Sequence, residues 1–316
     1  MNIVVTGATS FIGAVTVRQL LAAGHQVYGV VRPGSANLAH LTGQIPEREK
    51  GRLQVISLDL NRISQIGSCM GEQKSAGQPV HQADAWLHIG WDGAGSDNRT
   101  KRDVQQDNVR CSLEAVKAAA ALGCRRFLFT GSQAEYGVYH QPIHEELPCH
   151  PVSEYGIAKV DFYRQAAPLC RELGMDYIHA RIFSVYGPGD HPWSLVQSCL
   201  RTWQAGGQME LGECTQQWNF LYIEDTVSAL LHLLTEGQAG VYNIAGEDTR
   251  PLRSFIEEMY EICGRKGSFR YGVRPQNAEG PADLMPDIGK ILGETGWRPK
   301  TTFSEGIYET LYRLQA

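Results

Sequence analysis

The stretch NIVVTGATSFIG at residues 2–13 decides the fold, because its pattern changes halfway along. Its first half, Asn2–Thr6, is a short β-branched run, which is typical of a strand buried on both faces. A glycine-bearing turn follows, and Phe11–Ala23 reads as a helix that ends at Gly24. A strand, a glycine turn and a helix in this order predict the first unit of a parallel α/β sheet.

The same alternation continues through the first half of the chain. Further strands are predicted at Gln26–Val31, Leu53–Leu58, Ala85–Ile89, Arg126–Thr130 and Tyr177–Phe183, and long helices at Arg102–Ala121 and Glu154–Leu173. Strands that alternate with helices form βαβ units with right-handed crossovers. Residues 1–185 are therefore predicted to form one doubly wound, parallel Rossmann-type domain of the α/β class.

The composition of the sequence and the length of its predicted elements change at Tyr186. A loop rich in glycine, proline and aromatic residues, Tyr186–Trp193, comes first. Shorter elements are then predicted near Leu195–Gln204, Trp218–Ile223, Glu224–Thr235, Val241–Ala245 and Leu252–Cys263. We expect residues 186–316 to form a smaller substrate-binding lobe against the carboxyl ends of the strands, where doubly wound folds bind ligands. Some of its elements are expected to return to the sheet.

Composition and charge exclude several classes of protein. Lys and Arg number 29 against 34 Asp and Glu, so the net charge is −5, which argues against non-specific nucleic-acid binding. No apolar run approaches the roughly 18 residues of a membrane helix, and no basic leader precedes the first strand. The eight cysteines are scattered without a C-x-x-C pair, so we expect reduced thiols in a cytoplasmic protein and no metal site.

The turn at Thr6–Gly13 is suited to a dinucleotide pyrophosphate, which binds backbone N–H groups at a helix N-terminus. Gly7 permits the tight turn, and Gly13 lets the helix pack on the strand. Ser10 occupies the middle position, where glycine is usual, and its hydroxyl can donate to a phosphate. The cofactor contacts predicted in this turn are Gly7, Thr9, Ser10, Phe11, Ile12 and Gly13.

The end of the second strand indicates which dinucleotide binds. An acid at this point accepts hydrogen bonds from the 2′-hydroxyl of the adenine ribose in NAD(H). Here Arg32 follows the strand, and an arginine pairs instead with a 2′-phosphate. We therefore predict NADP(H) in preference to NAD(H), with a solvated surface arginine as the alternative reading. Asp59 and Leu60, after the third strand, are expected to meet the adenine ring.

A catalytic group is predicted beyond the fifth strand. Tyr155 and Lys159 lie four residues apart on one face of a predicted helix, and Ser132 lies at the end of the strand. A cation about 4 Å from the phenol, at an effective dielectric constant near 20, lowers its pKa of about 10 by up to about three units. We expect Tyr155 to exchange a proton near neutral pH, Ser132 to bind a substrate carbonyl oxygen, and Lys159 to hold the nicotinamide ribose.

These motifs resemble the extended short-chain dehydrogenase/reductase superfamily, in its NAD(P)-dependent nucleotide-sugar epimerase/dehydratase group. The resemblance rests on TGATSFIG (6–13), GSQAEYG (131–137), YGIAK (155–159), RIFSVYGPG (from 181), QWNFLYIED (217–225), VYNIAG (241–246) and GWRPK (296–300). It implies that Ser132, Tyr155 and Lys159 form a catalytic triad. It also implies that Ile89, Gly90, Asn108 and Ile182 line the cofactor, and that the two long helices form a homodimer.

The two residues after Ser132 indicate which reactions of this group are improbable for this chain. Dehydratases of this group carry Asp-Glu there, whereas this chain has Gln133 and Ala134. Epimerases of the group usually carry an acid at the end of the second strand, where this chain has Arg32. The HIGWDGAG loop that begins at His88, the SQAEYG segment and the QQWNF run look similar to those of deoxyhexose 4-ketoreductases of the abequose/paratose synthase type. The resemblance therefore implies NADPH-dependent reduction of a keto group, at C4 of a nucleotide-activated deoxysugar, with Tyr155 as proton donor. An epimerase with tightly bound NAD(P) and a non-catalytic NADP-binding sensor remain as alternatives.

The substrate contacts are predicted from the segments around this group. They are Trp91, Gln133, Glu135, His191, Trp193 and Arg274. Many members of the group have an arginine where this chain has Trp218, which leaves Arg274 as the candidate for a substrate diphosphate. A smaller carbonyl compound therefore stays open as the substrate.

Overall fold

Seven apolar runs form a central parallel sheet. The computed structural model describes residues 1–70, 82–95, 98–275 and 282–315. The strands of this sheet are β1 (Asn2–Thr6), β2 (Gln26–Val31), β3 (Leu53–Ser57), β4 (Ala85–His88), β5 (Arg126–Ser132), β6 (Asp176–Ile182) and β10 (Gly240–Ile244). Their order is β10-β6-β5-β4-β1-β2-β3, and each hydrogen-bonded pair is parallel. The predicted doubly wound Rossmann-like sheet is thus confirmed.

Helices cover both faces of the central sheet, and others pack beside it. The helices of the described residues are α1 (Phe11–Ala22), α2 (Leu38–Gly43), α3 (Glu47–Lys50), α4 (Ile66–Cys69), α5 (Arg102–Ala121), α6 (Glu154–Glu172), α7 (Leu195–Gln204), α8 (Ile223–Thr235), α9 (Leu252–Ile262), α10 (Gly289–Thr295) and α11 (Phe303–Gln315). Apolar residues of α1, α8 and α10 form one core layer with the sheet, and those of α5 and α6 form the other. Both faces are covered, so consecutive residues of the inner strands β1, β4, β5 and β6 are buried, and buried positions do not alternate with exposed ones.

The remaining strands belong to smaller sheets. One contains β7 (Ser184–Tyr186), β9 (Gln217–Tyr222) and β11 (Thr249–Pro251), and the other pairs β8 (Gln208–Glu210) with β12 (Ser268–Arg270). Helices α7, α9 and α11 pack with these strands around Trp203, Phe255 and Ile307, which are fully buried. The strand predicted at Val241–Ala245 is β10, which returns to the central sheet beside β6. The division into residues 1–185 and 186–316 stays a prediction.

The crevice that positions the site opens between β1 and β4. The chain winds from β1 to β2 and β3 in one direction, then crosses back to β4, so the connections diverge at the carboxyl ends of these strands. The segments that follow β1 and β4 lie very close together there. A Cβ on Gly7, whose φ is +68°, would lie 2.8 Å from the amide nitrogen of Gly90. Gly7 is therefore required both by its conformation and by this contact.

All eight cysteines are free thiols. Across the part of the chain with described coordinates, no helix has the combination of length and apolarity needed to cross a bilayer. Within those same ranges, His, Cys, Asp and Glu side chains form no cluster of three or more that would hold a metal ion.

Candidate active site

A single cavity of about 530 Å³ at the carboxyl ends of β1, β4 and β5 brings most predicted site residues together. The predicted residues that line it are Gly7, Thr9, Ser10, Phe11, Ile12, Arg32, Leu60, Ile89, Gly90, Trp91, Ser132, Tyr155, Lys159, Ile182 and His191. They come from widely separated parts of the sequence. The residues predicted for the cofactor and those predicted for catalysis therefore share one space.

The glycine turn presents a helix N-terminus to this cavity. The Ser10 hydroxyl caps α1 by accepting the Gly13 N–H at 3.1 Å, and its own hydrogen remains able to donate. The first turn of α1 contains no acidic residue, so the positive end of the helix is not neutralised there. Gly13 lies outside the cavity, where a Cβ would fall 2.0 Å from the Gly7 carbonyl oxygen. The turn can thus hold a phosphate group with backbone N–H groups.

The far end of the cavity, beyond β2, carries exposed charges. The Arg32 side chain is 73% exposed, and its Nη1 lies 3.8 Å from Oδ1 of Asp92, in the loop after β4. Ser35 also lines the cavity, and its hydroxyl lies 3.1 Å from that of Thr9. Sequence reasoning missed Ser35 and Asp92. Ser35 could have been predicted, because it lies three residues after Arg32 in the same turn. Asp92 could not be predicted from that turn, because it belongs to the loop after β4.

A smaller adjoining cavity of about 250 Å³ accounts for two further predicted residues. Asp59 and Asn108 line it together with Arg32, Leu60 and Asp92. The Asn108 amide exchanges two hydrogen bonds with the backbone of Asp92, at 2.7 and 2.8 Å. Asn108 thus fixes the position of the loop that supplies Asp92.

Lys159 is enclosed at the catalytic end of the cavity. Its Nζ donates to the Thr130 carbonyl oxygen at 2.8 Å and lies 4.0 Å from the centre of the Trp91 ring. Burial lowers the pKa of Lys159 to about 7, against an opposing effect of the Glu135 carboxylate. The distance from Nζ to the centre of the Tyr155 ring is 5.5 Å. The ammonium group therefore bonds the Thr130 carbonyl and lies nearer to the Trp91 ring than to the Tyr155 ring.

The Tyr155 phenol does not have the lowered pKa that the sequence predicts. Burial raises its pKa, and Glu135 adds to the increase, whereas Arg99 and a hydrogen bond from Ser132 reduce it. The guanidinium carbon of Arg99 lies 4.4 Å from the centre of the Tyr155 ring. The expectation that Lys159 acidifies Tyr155 is therefore corrected, because desolvation dominates and Arg99 is the cation facing the ring. Arg99 was not among the predicted site residues, although it belongs to the glycine- and aspartate-rich segment that follows β4.

The prediction that Glu135 contacts substrate is wrong, because its side chain is fully buried and already bonded. Its carboxylate accepts hydrogen bonds from the Ser132 amide at 2.8 Å and from His179 Nε2 and Arg181 Nε at 2.9 Å each. Burial alone would raise the pKa of Glu135, but His179 and Arg181 bring it down to about 2. Glu135 therefore supports Ser132 from behind instead of facing the cavity.

The other predicted substrate contacts are scattered. Gln133 is half-buried and lies outside the cavity, as does the exposed Arg274. Trp193 is 65% exposed and also lies outside, with its ring stacked on His191 at 4.5 Å between centroids. Trp91 and His191 are thus the predicted substrate residues that the fold brings to the cavity.

A doubly wound fold with a glycine turn, and a Ser, a Tyr and a Lys around the same cavity, defines a class of enzyme that binds a nicotinamide dinucleotide. The comparison with protein families agrees. The chain belongs to the NAD dependent epimerase/dehydratase family, whose model matches residues 3–245. The resemblance to the extended short-chain dehydrogenase/reductases stated above is thus confirmed, and members of this family are oxidoreductases and epimerases.

Two relatives are named for their action on deoxysugar nucleotides. The dTDP-6-deoxy-L-talose 4-dehydrogenase (NAD(+)) of Aggregatibacter actinomycetemcomitans is 26% identical over 280 residues, or 87% of this chain and 95% of the relative. The GDP-6-deoxy-D-mannose reductase of Pseudomonas aeruginosa is 29% identical over 210 residues, or 62% of this chain and 67% of the relative. Among solved structures, UDP-glucose 4-epimerase of Thermotoga maritima with UDP-glucose covers 100% of this chain and 99% of its own, with a TM-score of 0.82 and 22% identity. At that identity the structural likeness shows the fold.

Proposed function

We propose that this protein is an NADPH-dependent ketoreductase that acts on a keto group of a nucleotide-activated deoxysugar, at C4. The observation that carries the proposal is the position of Ser132, Tyr155 and Lys159 around the same cavity as the glycine turn. The names of the two relatives, a 4-dehydrogenase and a reductase of deoxysugar nucleotides, support this substrate class. Gln133 and Ala134, which replace the Asp-Glu of dehydratases, support reduction over dehydration.

The residues of the cavity fit a dinucleotide. A pyrophosphate needs backbone close to it, and Gly7 and the N-terminus of α1 provide this without an intervening side chain. Arg32 and Ser35 would hold a 2′-phosphate, and Lys159 the nicotinamide ribose. When bound, NADPH supplies the hydride for the carbonyl carbon.

The chain's own side chains provide the proton and the orientation. A carbonyl oxygen that gains negative charge needs hydrogen-bond donors, and Tyr155 and Ser132 both offer a hydroxyl to the cavity. Ser132 Oγ accepts the Ala134 N–H at 3.2 Å, and its hydroxyl can turn from Tyr155 to donate to the substrate oxygen. Tyr155 then gives its proton to that oxygen. The Trp91 ring lies edge-on to Tyr155, with 6.4 Å between the ring centroids, and both side chains line the cavity.

The raised pKa of Tyr155 agrees with a role as proton donor. A phenol whose pKa is above its ordinary value of about 10 remains protonated throughout the physiological range. It therefore holds the proton that reduction consumes. On this basis the rate of reduction falls only at alkaline pH, as the phenol loses its proton.

The test is the Tyr155→Phe variant, assayed by NADPH oxidation at 340 nm with 4-keto deoxysugar nucleotides. Removal of the proton donor should lower kcat by about 100-fold or more, because general acid catalysis contributes about 10²–10⁴. NADPH binding should be retained. Tyr308→Phe, at an exposed position on α11, is the matched control and should keep full activity.

Other outcomes of this assay would reject the proposal. Interconversion of two sugar nucleotides without net oxidation of NADPH would indicate an epimerase. Binding of NADPH with no turnover of any keto sugar, in either the native protein or the variant, would indicate a sensor.

We also propose that the protein is a cytoplasmic homodimer that associates through α5 and α6, as the family resemblance implies. The free thiols support a reducing compartment. Sedimentation of the purified protein tests the dimer, and a mass of twice 35.0 kDa is expected.

A further inference from the structure

We propose that Trp91, in the loop after β4, is a positioning residue that binds the ammonium group of Lys159 on the face of its indole ring. The inference rests on the proposed function only for the role of Lys159 at the nicotinamide ribose. Trp91 acts through Lys159, because it holds the ammonium group in place at the catalytic end of the cavity that both residues line.

Aromatic rings surround the Lys159 ammonium. Its Nζ lies 4.0 Å from the centre of the Trp91 ring and 4.3 Å from that of Phe129, with the Tyr155 ring at 5.5 Å. All three distances are within about 6 Å, the range over which the negative face of an aromatic ring attracts a cation. Tryptophan makes the strongest contact of this kind, and Trp91 is also the nearest of the three rings. Trp91 is therefore expected to contribute most to holding the charge.

The Trp91 ring is itself held in place by a buried amide. Its Nε1 donates to Oε1 of Gln105 on α5, at 2.8 Å. The Gln105 side chain is fully buried, and its Nε2 donates to the carbonyl oxygens of Gly93 and Asn98 at 3.1 and 2.9 Å. Rotation of the indole away from Lys159 would break the bond to this buried group, which is costly. Gln105 thus fixes both the loop and the orientation of the ring.

Charged groups act on the Lys159 ammonium in opposite directions. Burial is the main cause that lowers its pKa to about 7, and Arg99 in the β4–α5 loop acts in the same direction. Glu135, in the short 3₁₀ helix Gln133–Glu135, opposes both. The other titratable groups around Lys159 share a pKa that burial moves away from neutrality. They are His88 on β4, His179 on β6 and Tyr155 on α6.

The charge of Lys159 is therefore easily changed near neutral pH. A group with a pKa of about 7 is about half charged there, so a small added stabilisation changes the charged fraction strongly. A charged ammonium is a stronger hydrogen-bond donor than a neutral amine, and the proposed function requires it to bind ribose hydroxyls. The ring face of Trp91 favours this charged form.

The experiment titrates Lys159 in the cofactor-free protein, by NMR of ¹³C-labelled lysine between pH 5 and 10, with Lys159→Met to identify the signal. Trp91→Phe and Trp91→Leu both lose the bond to Gln105, but only Trp91→Phe keeps a ring face. The midpoint should be lower in Trp91→Leu than in Trp91→Phe by about 0.5–1 pH unit, the size of a cation–π contact expressed as a pKa shift. Tyr308→Leu, which removes an exposed ring on α11, is the matched control and should keep the native midpoint.

An equal midpoint in the two Trp91 variants, or a higher one in Trp91→Leu, overturns the inference, because the ring would then act on Lys159 only as apolar bulk. If Trp91→Leu does not fold, Trp91→Met, which has a longer aliphatic chain, undergoes the same titration and is judged by the same criterion. Because the measurement needs neither substrate nor turnover, it distinguishes failure of this inference from failure of the proposed reaction. The proposed reaction fails if Tyr155→Phe keeps its turnover.

Discussion

The two ends of the cavity use the same kinds of charge in opposite ways. At the end beyond β2, Arg32 and Asp92 are 73% and 65% exposed and lie 3.8 Å apart. Behind the catalytic end, Glu135 pairs with Arg181 at 2.9 Å, with side chains 0% and 4% exposed. An exposed pair contributes about 0–1 kcal/mol, whereas loss of one partner from a buried pair costs about 3–5 kcal/mol. The exposed Arg32 can therefore exchange partners at low cost. The buried pair of Glu135 and Arg181 instead fixes the position of the Ser132 backbone.

This difference matches what the proposed function requires of each end. On that function, a 2′-phosphate that enters the cavity takes Arg32 from Asp92, and a weak exposed pair permits that exchange. Ser132 must be held still, since a donor misplaced by about 1 Å costs much of its catalytic effect. Glu135 accepts the Ser132 amide, and the neighbouring strand β6 supplies the His179 and Arg181 that hold Glu135.

Removal of the buried anion should have the largest effect. Glu135→Ala leaves the Arg181 charge enclosed without its partner, so the free energy of unfolding should fall by about 3–5 kcal/mol. Asp92→Ala removes the exposed anion and should change it by less than about 1 kcal/mol. Urea unfolding of both variants measures the difference. Equal losses would show that burial does not separate the two ends.

Acid should destabilise the folded chain through its buried groups, His88 and Glu135. Burial, and then Lys159, lowers the pKa of His88 from 6.5 to about 3, so between these values the unfolded chain binds more protons than the folded one. Stability from this group is complete above pH 6.5 and is lost as pH falls, by about 1.4 kcal/mol per pH unit. Glu135, with its pKa lowered to about 2, adds a loss of the same sign below about pH 4.5.

The measurement is urea unfolding at several pH values between 7 and 5. The native protein should lose about 2 kcal/mol between pH 6.5 and 5 through His88 alone. His88→Gln, which keeps a polar group beside Thr6 and Ser112, should show a shallower pH dependence. An unchanged slope in this variant would mean that His88 is not the group responsible.

The smallest effect is expected at the exposed end, on the choice of cofactor. Arg32→Ala should weaken NADPH binding by about tenfold and leave NADH binding unchanged, because only NADPH carries the phosphate that the guanidinium pairs with. Asp92→Asn frees Arg32 and should strengthen NADPH binding by about threefold. Dissociation constants from quenching of tryptophan fluorescence test both. A similar loss for both cofactors in Arg32→Ala would remove Arg32 from the phosphate site.

Local chemistry explains why so much of the fold was predictable. The glycine turn and the capping Ser10 lie within a few residues of the strand and helix they join, so the sequence contains the whole unit. The positions of Ser132 and Tyr155 at the cavity were predictable for a related reason. Ser132 ends a strand, and Tyr155 lies in the first turn of a helix. The prediction that Glu135 contacts substrate was wrong, because its partners on β6 cannot be identified from the sequence around Glu135.

The sequence by itself determined the parallel sheet and the residues at the carboxyl ends of its strands, because periodicity and turn chemistry act over short distances along the chain. Only the tertiary structure decided which charges meet. Glu135 pairs with His179 and Arg181, 44 and 46 residues away, because β5 and β6 are neighbours in the sheet. Tyr155 meets Arg99 because α6 begins against the β4–α5 loop. Burial and charge pairing depend on what surrounds a group in space, and those surroundings exist only after the chain has folded.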